Sequence, residues 1–351
     1  MHTRTRRRGL GYALWCLALA ALTAAGFPNP ARAAQKIRFS LDWRFEGQTS
    51  FVWLADQKGY FKAEGLDVQI DAGNGSGAAI QRVASGAYDV AIGDMSSLIE
   101  AVGNNPTLMS GMQMVYLMYD EAPVGYVALK STGIKSIRDL QGKTIGAATF
   151  DVTRKLWPMV AQAAGMKADD VKFMQVTSQL RANMVSKGEI DAAGGFYNMP
   201  MEFEERGVPR DQLVVLKLSD LGLRLYGNGL IFSGKMLNEN PEAVKAFVRA
   251  FNRAFREGLA DPVASVKALK QQEAIVHERV ELERFRLLMP AMLTNYVRAE
   301  GLGNVDPVLL ARQVDGIYMA QGLKSKPDPT TLFNAAFLPP VQDRMPIVPK
   351  P

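Results

Sequence analysis

Val83-Ala84-Ser85-Gly86-Ala87-Tyr88-Asp89-Val90-Ala91-Ile92-Gly93 and Val185-Ser186-Lys187-Gly188-Glu189-Ile190-Asp191-Ala192-Ala193-Gly194-Gly195 are one phrase met twice, 102 residues apart. Each copy ends an amphipathic stretch at a glycine (Gly86, Gly188) and resumes as an alternating apolar run. A glycine there supplies the left-handed C-cap that turns a helix into a strand. Upstream of the first copy, Lys36 to Leu41 alternates like a strand and Ser50 to Lys62 has helical spacing. Gly65 stops that helix, Leu66 to Ile70 reads as a second strand, Ala78 to Ala84 as a second helix, and Tyr88 to Gly93 as a third strand. Around the second copy the order repeats: strand Lys143 to Ala147, helix Trp157 to Ala164, strand Val171 to Val176, helix Leu180 to Ser186, and a strand from Asp191. Two successive βαβαβ units predict an α/β protein built of two doubly wound lobes.

Gly229 to Gly234 reads as a return strand, and long amphipathic stretches follow: Pro241 to Leu259, Pro262 to Val276, Leu282 to Arg298 and Pro307 to Gln321. The return implies a discontinuous first lobe, residues 35–127 plus 226–351, and a second lobe, residues 128–225. Crossovers near Val127 and Leu225 would form a hinge for closure around a ligand.

The first 34 residues set the expected compartment. Arg4, Arg6, Arg7 and Arg8 precede an apolar run from Leu10 to Ala25, and Ala31-Arg32-Ala33 offers small residues at a cleavage site. The run, about 16 residues, is short for a membrane span of about 20. This predicts a secretory signal peptide and a periplasmic protein, with an uncleaved anchor as the alternative; the sequence leaves the general and twin-arginine routes open. Trp15 before the single cysteine, Cys16, argues against a lipid anchor. Five of the 41 basic residues and none of the 35 acidic ones precede Ala34, leaving 36 against 35. The high pI therefore belongs mostly to the signal, and no nucleic-acid footprint remains. Without cysteine after cleavage, disulfides and thiolate chemistry are excluded.

With those units in place, Ile37 to Trp43 ending in LDW, KGYFKAEGLDVQI (Lys58 to Ile70), ASGAYDVAIGD (Ala84 to Asp94), LQGKTIGA (Leu140 to Ala147) and YGNGLIFS (Tyr226 to Ser233) resemble the nitrate/sulfonate/taurine-type substrate-binding proteins of ABC transporters. Within that family the likeness is nearest the branch that binds thiamine-pyrimidine precursors and includes the thiamine pyrimidine synthases. The resemblance implies a periplasmic-binding-protein fold of the two-hinge type and leaves the ligand open.

Ligands of open α/β sheets sit beyond the carboxyl ends of the strands and at helix N-termini. Applied strand by strand, that rule selects Asp42 and Trp43, then Asn74 and Ser76, then Asp94, Met95 and Ser96. In the second lobe it selects Thr149, Phe150, Asp151 and Thr153, then Phe196, Tyr197 and Asn198, with Tyr226 and Asn228 at the return crossover. The set joins flat aromatics, neutral hydrogen-bonding groups and carboxylates, with Arg154 as the one clear cation beside it. Trp43, Tyr197, Asn198 and Tyr226 also admit ordinary packing or loop roles, and Asp94 a helix-capping role.

Gly73-x-Gly75-x-x-Ala78 formally fits a dinucleotide fingerprint, but its glycines are read more simply as letting backbone amides approach a ligand. Gly142-Lys143-Thr144 lacks the spacing of a phosphate-binding loop. Arg279, Arg284 and Arg286 alternate with Glu281 and Glu283 and read as a solvated helix face. His2 leaves with the signal, and His277 falls beyond the site elements. The active-site histidine and iron that the resemblance attaches to the synthases thus find no pocket histidine here, and hydrolytic triads fail for the same reason. The expected function is capture of a small planar heteroaromatic (pyrimidine-like) or organic-acid solute and delivery to an inner-membrane ABC permease, by a monomer, without catalysis, cofactor or metal. An enzyme related to the pyrimidine synthases and a binding component of a sensory system are the alternatives.

Overall fold

The computed structural model describes residues 34–149 and 151–347. The proposed signal, with Cys16 and His2, lies outside the described residues. From Gln35 onward the chain forms one compact unit holding two five-stranded sheets. The first sheet has the order β2-β1-β3-β10-β4, with β1 Gln35–Ser40, β2 Leu66–Asp71, β3 Val90–Asp94, β4 Gln113–Leu117 and β10 Asn228–Phe232. The second has the order β7-β6-β8-β5-β9, with β5 Val124–Leu129, β6 Thr144–Ala147, β7 Lys172–Gln175, β8 Ala192–Phe196 and β9 Leu213–Lys217.

The two sheets have the same plan. Three parallel strands are followed by an inserted antiparallel strand, β10 in the first sheet and β5 in the second, and then by an edge strand. The duplicated phrase is the corner that feeds β3 and β8. Gly86 and Gly188 sit at φ 74° and 71°, the left-handed region in which a side chain is strained.

The periodic segments lie close to their expected positions, with differences of physical origin. Gly59, at φ 67°, splits the first expected helix into Phe51–Gln57 and Tyr60–Ala63. Leu282 to Arg298 belongs to two helices, Glu278–Met292 and Asn295–Glu300. Val127, placed at a crossover by the sequence, is a mid-strand residue of β5; the chain changes sheets between β4 and β5, and again before β10. The two crossovers lie side by side, with Gly227 N donating to Tyr119 O (3.0 Å) and Ala122 N to Leu225 O (2.7 Å).

The helix Pro241–Ala260 covers the first sheet. Phe247, Phe251 and Phe255 repeat every four residues on its buried face, where Phe247 meets Phe39 edge-on at 5.2 Å and Phe232 at 5.7 Å. This rigid backing fixes the carboxyl ends of β1 and β3, from which the site is built.

Candidate functional site: a cavity at the strand ends

A cavity lies where the carboxyl ends of both sheets converge, with about 650 Å³ of empty space, part of it open to solvent. Of the expected residues, Asp42, Trp43, Ser76, Asp151, Phe196, Asn198 and Asn228 line it.

Asp42 follows β1 and is buried. Its Oδ2 accepts from Asn228 Nδ2 at 2.6 Å and from Ser76 Oγ at 3.3 Å. Burial pushes the carboxyl up to about 6, against the pull of those donors. The glycine loop after β2 buttresses this corner: Gly73 N donates to Trp43 O (2.9 Å) and Gly75 N to Asp42 O (2.6 Å). A Cβ on Gly73 would lie 2.0 Å from Leu41 O. These two amides are thus engaged by the chain itself, which corrects the expectation that they approach a ligand, and their geometry accounts for the glycines without a dinucleotide.

Trp43 is half-buried, with the Arg181 guanidinium 5.4 Å from its ring centroid. Arg181, rather than Arg154, is the cation lining the cavity; Arg154 lies over Phe173 instead, 5.6 Å from the ring centroid. Arg181 donates to Glu202 through Nη2 (2.9 Å) and Nε (3.4 Å), and through Nη1 to Gly194 O (2.9 Å). Asp151 Oδ2 stands 3.7 Å away, while Asp151 Oδ1 caps the helix Val152–Ala163 by accepting from Thr153 N (2.9 Å). Burial alone would lower the Arg181 guanidinium, but Glu202 and Asp151 hold it above its ordinary value.

Glu46, Gln48 and Thr49, in the same loop as Trp43, also line the cavity, as do Met118 and Tyr119 after β4. Glu46 meets Arg44 at 2.7 Å and Arg284 at 3.9 Å; burial would raise it, but these two cations hold it below the usual carboxylate range. Arg284 is therefore no part of a solvated face. It is 3% exposed and donates to Glu281 Oε2 (3.1 Å), whose other donor is Gly47 N (2.6 Å). Arg279 and Arg286 on the same helix are exposed.

The remaining expected residues stand elsewhere. Asp94 is fully buried as the N-cap of the helix Met95–Asn104, accepting from Ser96 N (2.7 Å) and Ser97 N (3.2 Å). Met95 is core, and Ser96 Oγ accepts from Gln313 Nε2 (2.9 Å). Thr153 is buried, with Oγ1 donating to Asp151 Oδ1 (2.6 Å). Tyr197 is half-buried under Lys217 Nζ, 4.9 Å from its ring centroid. The Tyr226 hydroxyl accepts from Asp306 N (2.6 Å), and Asn74 and Thr149 are exposed. None of these eight lines the cavity. Phe150 lies outside the described residues.

The strand-end rule selects the first residues past a strand and so passes over side chains that arrive from further along. Glu46 to Thr49 lie three to six residues beyond Trp43, Arg181 is one turn into its helix, and Tyr119 follows a strand whose apolar run carries no periodic mark. The buried polar atoms Gln48 Oε1, Tyr119 Oη, Asn198 Nδ2 and Asn228 Oδ1 belong to cavity-lining residues and have no protein partner. The cavity thus offers two acceptors and two donors around one indole face. Among the described residues no cluster of histidine, cysteine and carboxylate side chains has metal-site geometry.

The NMT1/THI5-like family model matches residues 47–265, well over half of the chain. The chain belongs to the NMT1/THI5-like family. One relative is the riboflavin-binding protein RibY of Chloroflexus aurantiacus, 29% identical over 331 residues that cover 91% of both chains. Another is the 4-amino-5-hydroxymethyl-2-methylpyrimidine phosphate synthase of Aspergillus parasiticus, 29% identical over 263 residues, 72% of this chain and 75% of the synthase. Members similar to this chain thus include both binding proteins and synthases. The alkanesulfonate-binding protein SsuA of Xanthomonas axonopodis pv. citri, solved with MOPS, superimposes with a TM-score of 0.65 at 15% identity, covering 85% of this chain and 96% of that one. The fold is that of the periplasmic binding proteins.

Proposed function

We propose that this protein is the periplasmic receptor of an ABC importer for a planar, uncharged or cationic heteroaromatic solute. The lobe built on the first sheet and the lobe built on the second, joined by the paired crossovers between β4 and β5 and before β10, close on the ligand as a monomer and present it to the permease. One observation carries the reading: the cavity sets a tryptophan face among buried hydrogen-bonding groups that lack protein partners, and four carboxylates against one guanidinium. The carboxylates are Asp42, Glu46, Asp151 and Glu202; the cation is Arg181, already engaged by Glu202. An anionic ligand would meet an excess of carboxylates over guanidinium in the lining, even with Glu46 held by Arg44 and Arg284, whereas a ring carrying N–H and C=O edges can satisfy the free groups. The charge balance thus favours the heteroaromatic half of the expected ligand class over an organic acid. The names of the relatives, riboflavin and an aminopyrimidine, point the same way.

A receptor is favoured over a synthase by the lining residues, which include no histidine; His277 is exposed at the start of the helix Glu278–Met292. Calorimetric titration with riboflavin, 4-amino-5-hydroxymethyl-2-methylpyrimidine and MOPS tests the reading. A heteroaromatic should bind, with a Kd of about 1 μM or tighter, and emerge chemically unchanged. Binding of MOPS alone, or turnover of the pyrimidine, overturns it.

A further inference from the structure

Asp94 ends β3 and Asn228 begins β10, directly opposite each other in the antiparallel register. Side chains so paired leave the sheet on the same face, about 5 Å apart at Cβ. Both residues are enclosed, at 0% and 2% exposure. Asp94 engages Oδ1 with the amides of Ser96 and Ser97, and its Oδ2 is buried without a donor. Asn228 engages Nδ2 with Asp42, and its Oδ1 is buried without a donor. Two orphan acceptors on paired residues are a costly arrangement that a single proton resolves.

We propose that Asp94 is a positioning residue for the binding site: as a neutral acid it donates through Oδ2 to the Asn228 side-chain carbonyl, fixes the amide with Nδ2 toward Asp42, and so presents Asp42 to the cavity as a charged acceptor. The inference rests on the receptor reading for the role it gives Asp42, and it takes Asn228 Oδ1 out of the groups left for the ligand, which keep Gln48 Oε1, Tyr119 Oη and Asn198 Nδ2. A proton on Asp94 agrees with its surroundings. Burial pushes this carboxyl up to about 7, the Ser97 and Ser96 amides pull it down, and the charge of Asp42 adds to the rise.

Among the described residues, the cations on the elements packed around Asp94 have other partners or lie elsewhere. The helix Ser76–Ala84, packed on β3, brings Arg82, which is engaged by Ser40 Oγ (3.0 Å) and Ala72 O (2.9 Å). The helix Pro307–Gln321 brings Gln313 to Ser96, while its Asp315 pairs with Lys326 (2.6 Å) and its Arg312 lines a separate groove. On the helix Val152–Ala163, Lys155 pairs with Glu100 (2.6 Å) and Arg154 covers Phe173. Tyr119 is kept neutral by burial, and β10 has no titratable side chain.

The ligand-free test is a carbon-13 NMR titration of the aspartate carboxyls, with Asp94→Asn for assignment, together with the Asn228 side-chain amide resonances. Asp94 should titrate near pH 7, and the Asn228 amide should shift with the same midpoint. The ligand test is riboflavin affinity by fluorescence quenching from about pH 5 to pH 9, where its ring is uncharged. Wild-type affinity should rise as Asp42 ionises near pH 6 and fall as the pH rises through about 7, where Asp94 loses its proton. Asp94→Asn, whose amide donates at every pH, should keep the rise near pH 6 and lose the fall near pH 7. Asp94→Leu, with no donor, should bind about tenfold more weakly throughout. An Asp94 that titrates below about pH 5, an Asn228 amide that ignores it, or equal affinities of the Asn and Leu variants overturns the inference. If neither riboflavin nor the pyrimidine binds while both resonances titrate together, the receptor reading fails and the positioning of Asn228 by Asp94 stands.

Discussion

Replacing Arg181 by methionine removes the one cation among the described residues lining the cavity and leaves Glu202 and Asp151, 4% and 7% exposed, without their buried counter-charge. Breaking one partner out of a buried ion pair costs about 3–5 kcal/mol, because the remaining charge stays desolvated. Here Arg44, 3.5 Å from Glu202 and more than a third exposed, retains part of the compensation, so a loss near the lower end, about 3 kcal/mol, is expected. Arg181→Met/Glu202→Gln should recover about 2 kcal/mol of that loss, since the orphaned charge is then gone, and Asp151 accounts for the remainder. The assay is a urea double-mutant cycle, followed by circular dichroism and by tryptophan fluorescence to check that the two transitions coincide. A loss below about 1 kcal/mol for Arg181→Met, or additive effects in the cycle, would show that the pair is solvated and would refute the reasoning.

Trp43→Ala should weaken binding of the heteroaromatic ligand about tenfold or more with little change in melting temperature; intact affinity with a large drop in melting temperature would make Trp43 a packing residue. Burial raises Asp42 to about 6 and Asp94 to about 7 from an ordinary 3.8, so their contribution to stability is complete below about pH 4 and lost as the pH rises through those values. Denaturation midpoints should therefore be lower at pH 8 than at pH 5, and Asp42→Asn should narrow the gap; an unchanged gap refutes the role of Asp42. Intact-mass analysis of exported protein should find the N-terminus at Ala34 or Gln35, and retention of residues 1–33 would contradict the signal reading.

Both parallel triads of strands, their crossover helices and the two glycine corners were legible because they rest on local rules. Alternation, helical spacing and a left-handed cap are each properties of a few neighbouring residues. β4 and β5, read from Gln113–Leu117 and Val124–Leu129, were not. Both are near-continuous apolar runs buried on both faces, so no alternation marks them, and the sheet each joins depends on a partner far away in the chain. The site divides in the same way. Asp42, Trp43, Ser76, Asp151, Phe196, Asn198 and Asn228 follow from strand ends, a feature of topology that the sequence order contains.

What the sequence by itself determined is the duplicated α/β plan, its return crossover and the corner residues at the strand ends, because chain order and short-range backbone preferences are enough to specify them. What only the tertiary structure decided is which charges meet. Arg181 faces Trp43 and Glu202, and Arg284 leaves its expected solvated face for Glu46 and Glu281, since long side chains choose partners across packed elements. Asp94 likewise becomes an enclosed acid opposite Asn228 only once β10 has returned between β3 and β4, where burial, rather than any local spacing, sets its protonation.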